Sequence, residues 1–302
     1  MDGLILVRKP VPWTSHDVVR NLRRTLAEKR IGHFGTLDPL ASGLLLAAVG
    51  RATRLFPYFS AYEKTYEARI RLGFATDTYD AGGTPLGEER TDLPPAEIVS
   101  AALGRFEGEI EQLPPPYSAK KVGGKPLYAY ARKKQEVERR PSRVFVRAFR
   151  LRGYEPPFLE AEVICASGTY VRGLAHDLGL ALGCGAHLSG LVRTSIGPYR
   201  IEDGHDPDEI RNLREEGRTD RFLIPLERLL TDRPAYVLSG REAEDVRLGR
   251  TVRPESPRIA PAGPEPPSDR PVVRLLGPDG GLAALARPGA DPGSWAPVVV
   301  FL

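Results

Sequence analysis

Arg30-Ile-Gly-His-Phe-Gly-Thr-Leu-Asp-Pro-Leu-Ala-Ser-Gly-Leu44, continued by Leu45-Leu-Ala-Ala-Val49, joins a glycine-rich loop to an apolar run. Residues 31–43 contain three Gly and one Pro and show no hydrophobic period, so they read as a loop. The run Leu44–Val49 suits a buried strand and is far too short to cross a bilayer. A loop so rich in glycine, feeding a buried strand, can hold a side chain at the lip of a cleft. Gly35 and Gly43 open backbone conformations closed to other residues, and Pro39 stiffens the chain directly after Asp38. By residue type alone, Asp38 before Pro39 reads first as a turn former.

Working outward, Leu4–Val7 reads as a short strand ended by Lys9-Pro10. Thr14 or Ser15 caps a helix with Asp17 near its positive end and Val18, Val19, Leu22 and Leu26 on its buried face. A further helix is expected around Ala52–Phe59. Lys64–Leu72 alternates without a break: Tyr66, Ala68, Ile70 and Leu72 share one face, while Thr65, Glu67, Arg69 and Arg71 share the other. That is a half-buried strand. Thr76–Gly87 is a polar connection, Pro95 opens a helix to Leu103, and Leu113–Tyr117 is extended. Leu127–Lys134 reads as helical. Strands over Val144–Leu151 and Leu159–Ala166 lead through Ser167-Gly168 into a helix from about Tyr170 to Leu182.

Helices and strands interleave without the spacing of βαβ units, which predicts an α+β fold with a mixed, largely antiparallel sheet flanked by helices. Composition shifts near Thr231-Asp-Arg-Pro234. Beyond it, Ala235–Leu238, Val272–Leu276, Leu282–Ala286 and Val298–Leu302 are short apolar segments around the Pro-rich loop Pro254–Pro271. The expectation is a larger domain over residues 1–230 and a small, C-terminal, β-rich one over 231–302.

With 302 residues and 41% hydrophobic content, the chain can bury a substantial core. Its formal charge of +4 is unevenly spread: residues 1–150 carry 25 Lys+Arg against 17 Asp+Glu. Between Ser118 and Arg150, 11 basic residues face only Glu136 and Glu138. Such a stretch suits a polyanion, because each neutralised phosphate releases counterions, and it equally suits a solvated surface. The N-terminal apolar stretch ends too soon for a signal peptide. Cys165 and Cys184 form no CxxC pair and have no cluster with zinc spacing. The reading is a reduced, cytoplasmic, metal-free protein.

The segment around Asp38 resembles the catalytic motif of the TruB-type pseudouridine synthases, Gly-His-x-Gly-x-Leu-Asp-Pro-x-Ala-[ST]-Gly. Further blocks follow in order. Lys64-Thr-Tyr66, Arg71-Leu-Gly73 and Thr76-Asp-Thr-x-Asp80 resemble the second. Pro115-Pro-Tyr-Ser-Ala119 through Lys121, Gly124, Tyr128 and Ala131-Arg132 resembles the third. Ser167-Gly-Thr-Tyr-Val-Arg172, Asp177-Leu-Gly179 and Gly183-Cys-Gly-Ala-His187 resemble the fourth, and Leu191-Val-Arg193 the fifth. The tail resembles a PUA-type RNA-binding module. Two departures stand out: Lys120 where the family usually has an apolar residue, and the large ring of Phe34 where smaller residues are common.

The resemblance implies a pseudouridine-synthase sheet, no cofactor, and the breaking, turning and rejoining of a uridine base through carbon. It places Asp38 as the nucleophile, attacking either the anomeric carbon or the pyrimidine ring. Arg172 is the arginine that pairs with it, and Tyr66 stacks on the base and assists proton removal. His33 contacts RNA beside the flipped base, and Tyr170 and Leu191 line the pocket. Lys121, Arg132 and Arg143, in the basic stretch, are the candidates for gripping phosphates. The implied substrate is the T-arm of tRNA, taken by a monomer without an obligatory protein partner. Guide-RNA-dependent action and an RNA-folding chaperone role stand as alternatives.

Overall fold

The computed structural model describes residues 1–118, 120–131, 133, 135, 137–262 and 271–302. Its main sheet has ten strands. Eight lie in the order Leu223–Pro225, Gly3–Lys9, Ala41–Val49, Ala186–Ile196, Lys64–Leu72, Phe158–Cys165, Ser142–Glu155 and Gly108–Gln112. Ile31–His33 and Tyr199–Arg200 pair off that path. Ala41–Val49 and Ala186–Ile196 run parallel, and the other pairs are antiparallel. The α+β class with a mixed, largely antiparallel sheet therefore holds.

Two interior strands show why the sequence patterns differ. From Thr65 to Leu72 the strand Lys64–Leu72 alternates between more exposed polar and buried apolar positions, with Lys64 buried at its start. In Ala41–Val49, nearly every residue is buried, because both faces of that strand are covered. Leu45, Ala47 and Val49 pack with Val18, Val19, Leu22 and Leu26 of the helix Ser15–Leu26. Leu44, Leu46 and Ala48 point the other way, into a core with Phe59, Leu285 and Phe301. A third core joins Tyr66, Ala68 and Ile70 to Val99 and Leu103 of the helix Ala96–Gly104, and to Leu174 and Leu178 of the helix Val171–Leu182.

Several boundaries moved from expectation. The strand begins at Ala41 rather than Leu44, and Ile31–His33 forms a short strand inside the expected loop. Around Ala52–Phe59 the chain makes a 3-10 turn, Gly50–Leu55, and then one short helical turn, Phe56–Phe59. Pro57 lacks the amide hydrogen that a continuous α-helix would need there. Pro95 caps its helix from outside rather than occupying the first turn. Ser142–Glu155 is longer than expected because it pairs with Gly108–Gln112 near one end and Phe158–Cys165 toward the other. The helix expected over Leu127–Lys134 spans Leu127–Ala131, and Arg132 and Lys134 lie outside the described residues.

Ala235–Val237, Val273–Leu276, Leu282–Pro288 and Trp295–Val300 form a separate four-stranded sheet. The helix Gly240–Arg247 lies with it, started by a reciprocal cap between Ser239 and Glu242. No described helix is long and apolar enough to cross a membrane.

Candidate active site

The loop that carries Asp38 is anchored on both sides. Ser15, at the start of its helix and 2% exposed, accepts a hydrogen bond through Oγ from the Leu37 amide at 2.8 Å. The same hydroxyl lies 3.3 Å from the Leu37 carbonyl. Leu37 itself is buried in the core that holds Tyr66. Phe34 packs against Phe56 and Phe59, with ring centroids 5.8 and 4.8 Å away. The large ring that departs from the resemblance thus serves as an anchor. Gly35 and Gly43 both take φ near +101°, the freedom expected of them.

Arg172 comes to Asp38 from the first turn of Val171–Leu182. Gln112, 1% exposed, fixes where that helix starts: it accepts from the Tyr170 amide at 2.8 Å and donates to the Tyr170 carbonyl at 2.9 Å. Arg172 Nε lies 2.9 Å from Asp38 Oδ2. This is an ion pair rather than an aligned hydrogen bond, since among the described residues Nε has no partner in hydrogen-bond geometry. The rest of the guanidinium is held elsewhere. Nη1 donates to the Thr78 carbonyl at 3.1 Å and to Asp80 Oδ2 at 3.2 Å, and Nη2 donates to the Tyr117 carbonyl at 2.8 Å. The fork is divided among several acceptors, not spent in a bidentate clasp on one carboxylate.

Asp80 is held in turn by the Thr78 hydroxyl at 2.7 Å and the Gly82 amide at 3.0 Å. In the sequence Asp80 stands only as the last residue of Thr76-Asp-Thr-x-Asp80, with nothing to mark it as a partner of Arg172. The visible signal was the alternation of Thr and Asp, which suits a side-chain-stabilised turn.

The Asp38 side chain keeps 45% of its surface accessible, so it can meet a solute. Its surroundings nevertheless desolvate it. This desolvation pushes its pKa above the ordinary carboxylate value; Arg172 pulls it down and the charge of Asp80 adds to the rise. Lys9, 1% exposed, donates to the Pro10 and Trp13 carbonyls beneath the loop. Burial lowers its pKa to about 8, with the Asp38 charge opposing.

Tyr66 is 9% exposed and shares a core with Leu37 and Val171, against which Leu191 packs. Burial raises its phenol pKa and Arg193 counteracts that rise. His33 is half-buried, and its Nδ1 has no hydrogen-bond partner among the described residues. Burial first and the Arg193 charge second lower its pKa, favouring a neutral imidazole at pH 7. Tyr170 sits at the N-terminal boundary of the Arg172 helix.

Asp38, Tyr66, Arg172 and Leu191 are therefore brought together by the fold, with Tyr170 next to Arg172 in sequence at the start of its helix and His33 at the other end of the loop. The basic candidates lie further out. Lys121 is exposed on a two-stranded hairpin. Arg143 is exposed on a strand two removed from that of Tyr66, 3.2 Å from Glu109. Arg132 lies outside the described residues. A cavity of about 660 Å³ lined by Asp77, Tyr117, Leu127, Tyr130 and Arg139 adjoins the site through Tyr117, without Asp38 in its lining.

Residues 23–171 match the family described as TruB family pseudouridylate synthase (N terminal domain), and residues 172–231 match the tRNA pseudouridylate synthase B C-terminal domain. The chain belongs to the TruB family. The tRNA pseudouridine synthase B of Symbiobacterium thermophilum is 46% identical over 252 residues, 82% of this chain and 82% of that one. That of Geobacillus thermodenitrificans is 39% identical over 308 residues, 100% of both chains. Among solved structures, one titled "Structure of H/ACA RNP bound to a substrate RNA containing 2'-deoxyuridine" superposes with a TM-score of 0.75 at 24% identity. It covers 99% of this chain and 85% of that chain, and it shares the fold. As a TruB member the chain is a pseudouridylate synthase, an isomerase.

Proposed function

We propose that this enzyme isomerises uridine to pseudouridine in the T-loop of tRNA, with Asp38 as nucleophile. The observation that carries the reading is the 2.9 Å ion pair of Asp38 with Arg172, in a chain 46% identical to a protein named tRNA pseudouridine synthase B. The reaction breaks the bond from N1 of the base to C1′ of the ribose, turns the base, and bonds C5 to C1′. C5 loses a proton and N1 gains one, so the atoms balance without an oxidant. Attack by Asp38 on C1′ or on the ring divides a difficult exchange into two easier steps. Arg172, fixed by Asp80, Thr78 and Tyr117, orients the carboxylate and favours its ionised form. Tyr66 stacks on the base and assists removal of the C5 proton.

The target must leave its stack first, at a cost of a few kcal/mol that is lowest in irregular loops. His33 contacts RNA beside the vacated position, while Tyr170 and Leu191 line the pocket. Lys121, Arg132 and Arg143 grip phosphates, and residues 231–302 form a PUA-like RNA-binding domain that raises local substrate concentration. The enzyme acts as a cytoplasmic monomer without an obligatory protein partner.

The deciding experiment is pseudouridine formation by purified protein on an unmodified tRNA transcript, mapped to the nucleotide. Conversion of one T-loop uridine is expected, abolished in Asp38→Asn, with RNA affinity within about threefold of wild type. Tight binding without conversion would favour the guide-RNA or chaperone reading instead. Neutralising Lys121, Arg132 and Arg143 together should flatten the log–log salt dependence of binding by about 2–3. An unchanged slope would mean that these residues face away from the RNA.

A further inference from the structure

Arg193 ended the last sequence block without a role. Its strand, Ala186–Ile196, lies between the two strands that carry the site: Arg193 is in register with Gly43 on one side and Tyr66 on the other. The side chain is 1% exposed and among the largest fully buried ones. It grips the Asp38 loop at both ends. Nη2 donates to the Gly35 carbonyl at 3.0 Å, Nη1 reaches the Thr36 carbonyl at 3.5 Å, and Nε donates to the Leu44 carbonyl at 2.7 Å. The guanidinium carbon also lies 6.0 Å from the centroid of the Tyr66 ring, within reach of a cation–π contact.

The glycines fit this arrangement. A Cβ on Gly43 would stand 2.4 Å from the Arg193 carbonyl oxygen, so the strands approach this closely only with glycine there. The guanidinium is directed mainly at backbone carbonyls, although a buried cation is costly to desolvate. Stability alone would be served as well by an apolar side chain of similar volume. A guanidinium does what such a side chain cannot: it ties backbone on both sides of Asp38 and sets a positive charge beside the phenol. Arg172 and Arg193 divide the work, one facing the Asp38 carboxylate and the other its loop and Tyr66.

We propose that Arg193 is a positioning residue that holds the Asp38 loop and Tyr66 in one register for the reaction. This rests on the reading in which Asp38 is the nucleophile and Tyr66 assists removal of the C5 proton. The test compares Arg193→Lys and Arg193→Met in the full chain: thermal unfolding, RNA Kd, and kcat and KM on a tRNA transcript, each repeated in a Tyr66→Phe background. A positioning role lowers kcat by about tenfold or more with KM within about threefold. The factor lost is smaller in the Tyr66→Phe background, because part of the effect runs through the phenol. A folded variant with kcat within about threefold of wild type overturns the proposal. So does an equal loss in both backgrounds. If neither variant unfolds cooperatively, Arg193 serves stability alone and the proposal also falls. A Tyr66→Phe enzyme with a wild-type rate removes the premise and the proposal together, a result distinct from an Arg193 effect that does not couple.

Discussion

Asp38 is subject to opposed forces. Desolvation by burial raises its pKa, Arg172 lowers it, and Asp80 raises it again by repulsion. In its proposed role as nucleophile Asp38 must be ionised to react, so the acid limb of the rate should lie above the ordinary carboxylate range. In Asp80→Asn the repulsion is gone, and the limb should move to lower pH. The plateau should also fall, by about tenfold, because Arg172 loses one of its acceptors. Single-turnover rates across the acid range measure both effects, and a limb that stays put or rises would show that Asp80 and Asp38 are uncoupled. The Asp38–Arg172 pairing was legible because both residues sit in recognisable motifs. Their supports were not: Gln112 is 58 positions from Tyr170, Asp80 is 92 from Arg172, and Ser15 is 22 from Leu37. A hydrogen bond between distant positions leaves no periodic trace in a single sequence.

Among the elements, legibility followed length and period. Lys64–Leu72 was readable to the residue, because one buried face imposes strict alternation. The doubly covered strand was found by its apolar run but entered late, since Ala41, Ser42 and Gly43 carry no strand signature. Ile31–His33 is too short to show a period. The helix Val171–Leu182 was placed closely, and Gly183, left-handed at φ 70°, ends it. That helix carries a stability cost. Burial raises the pKa of Asp177 to about 6, above its ordinary 3.8. The native state therefore holds this proton more tightly than the unfolded chain, so its stabilising contribution is present below pH 4 and lost as pH rises through 6. Asp177→Asn removes that dependence. It should stabilise the protein by about 1–2 kcal/mol at pH 8 and by less at pH 5, as read from urea unfolding. Equal effects at both pH values would mean that Asp177 is not desolvated as described.

At the scale of the whole molecule, the C-terminal sheet shares a core with the main sheet and the segment before Asp38. Leu282, Leu285, Val299 and Phe301 pack in one cluster with Leu4, Leu46, Phe59 and Phe34, the last only four residues from Asp38. Polar contacts reinforce the junction: Tyr62 donates to Asp232 at 2.6 Å, Arg54 donates to the Val300 carbonyl at 2.5 Å, and Arg51 donates to the Phe301 carbonyl. The composition shift near Thr231 located the sheet but not this union, because an interface formed of ordinary core residues has no compositional mark. A shared core favours cooperative unfolding, since neither part can lose the other without exposing apolar surface. Phe301 is 3% exposed, so Phe301→Ala should cost about 3–5 kcal/mol. Scanning calorimetry should then show one transition in both proteins, with the whole peak moved to lower temperature in the variant. Two resolved transitions, with only the smaller one displaced, would mean that the parts fold independently. In that case the C-terminal sheet would act as a tethered module, unable to brace the Asp38 loop through Phe34.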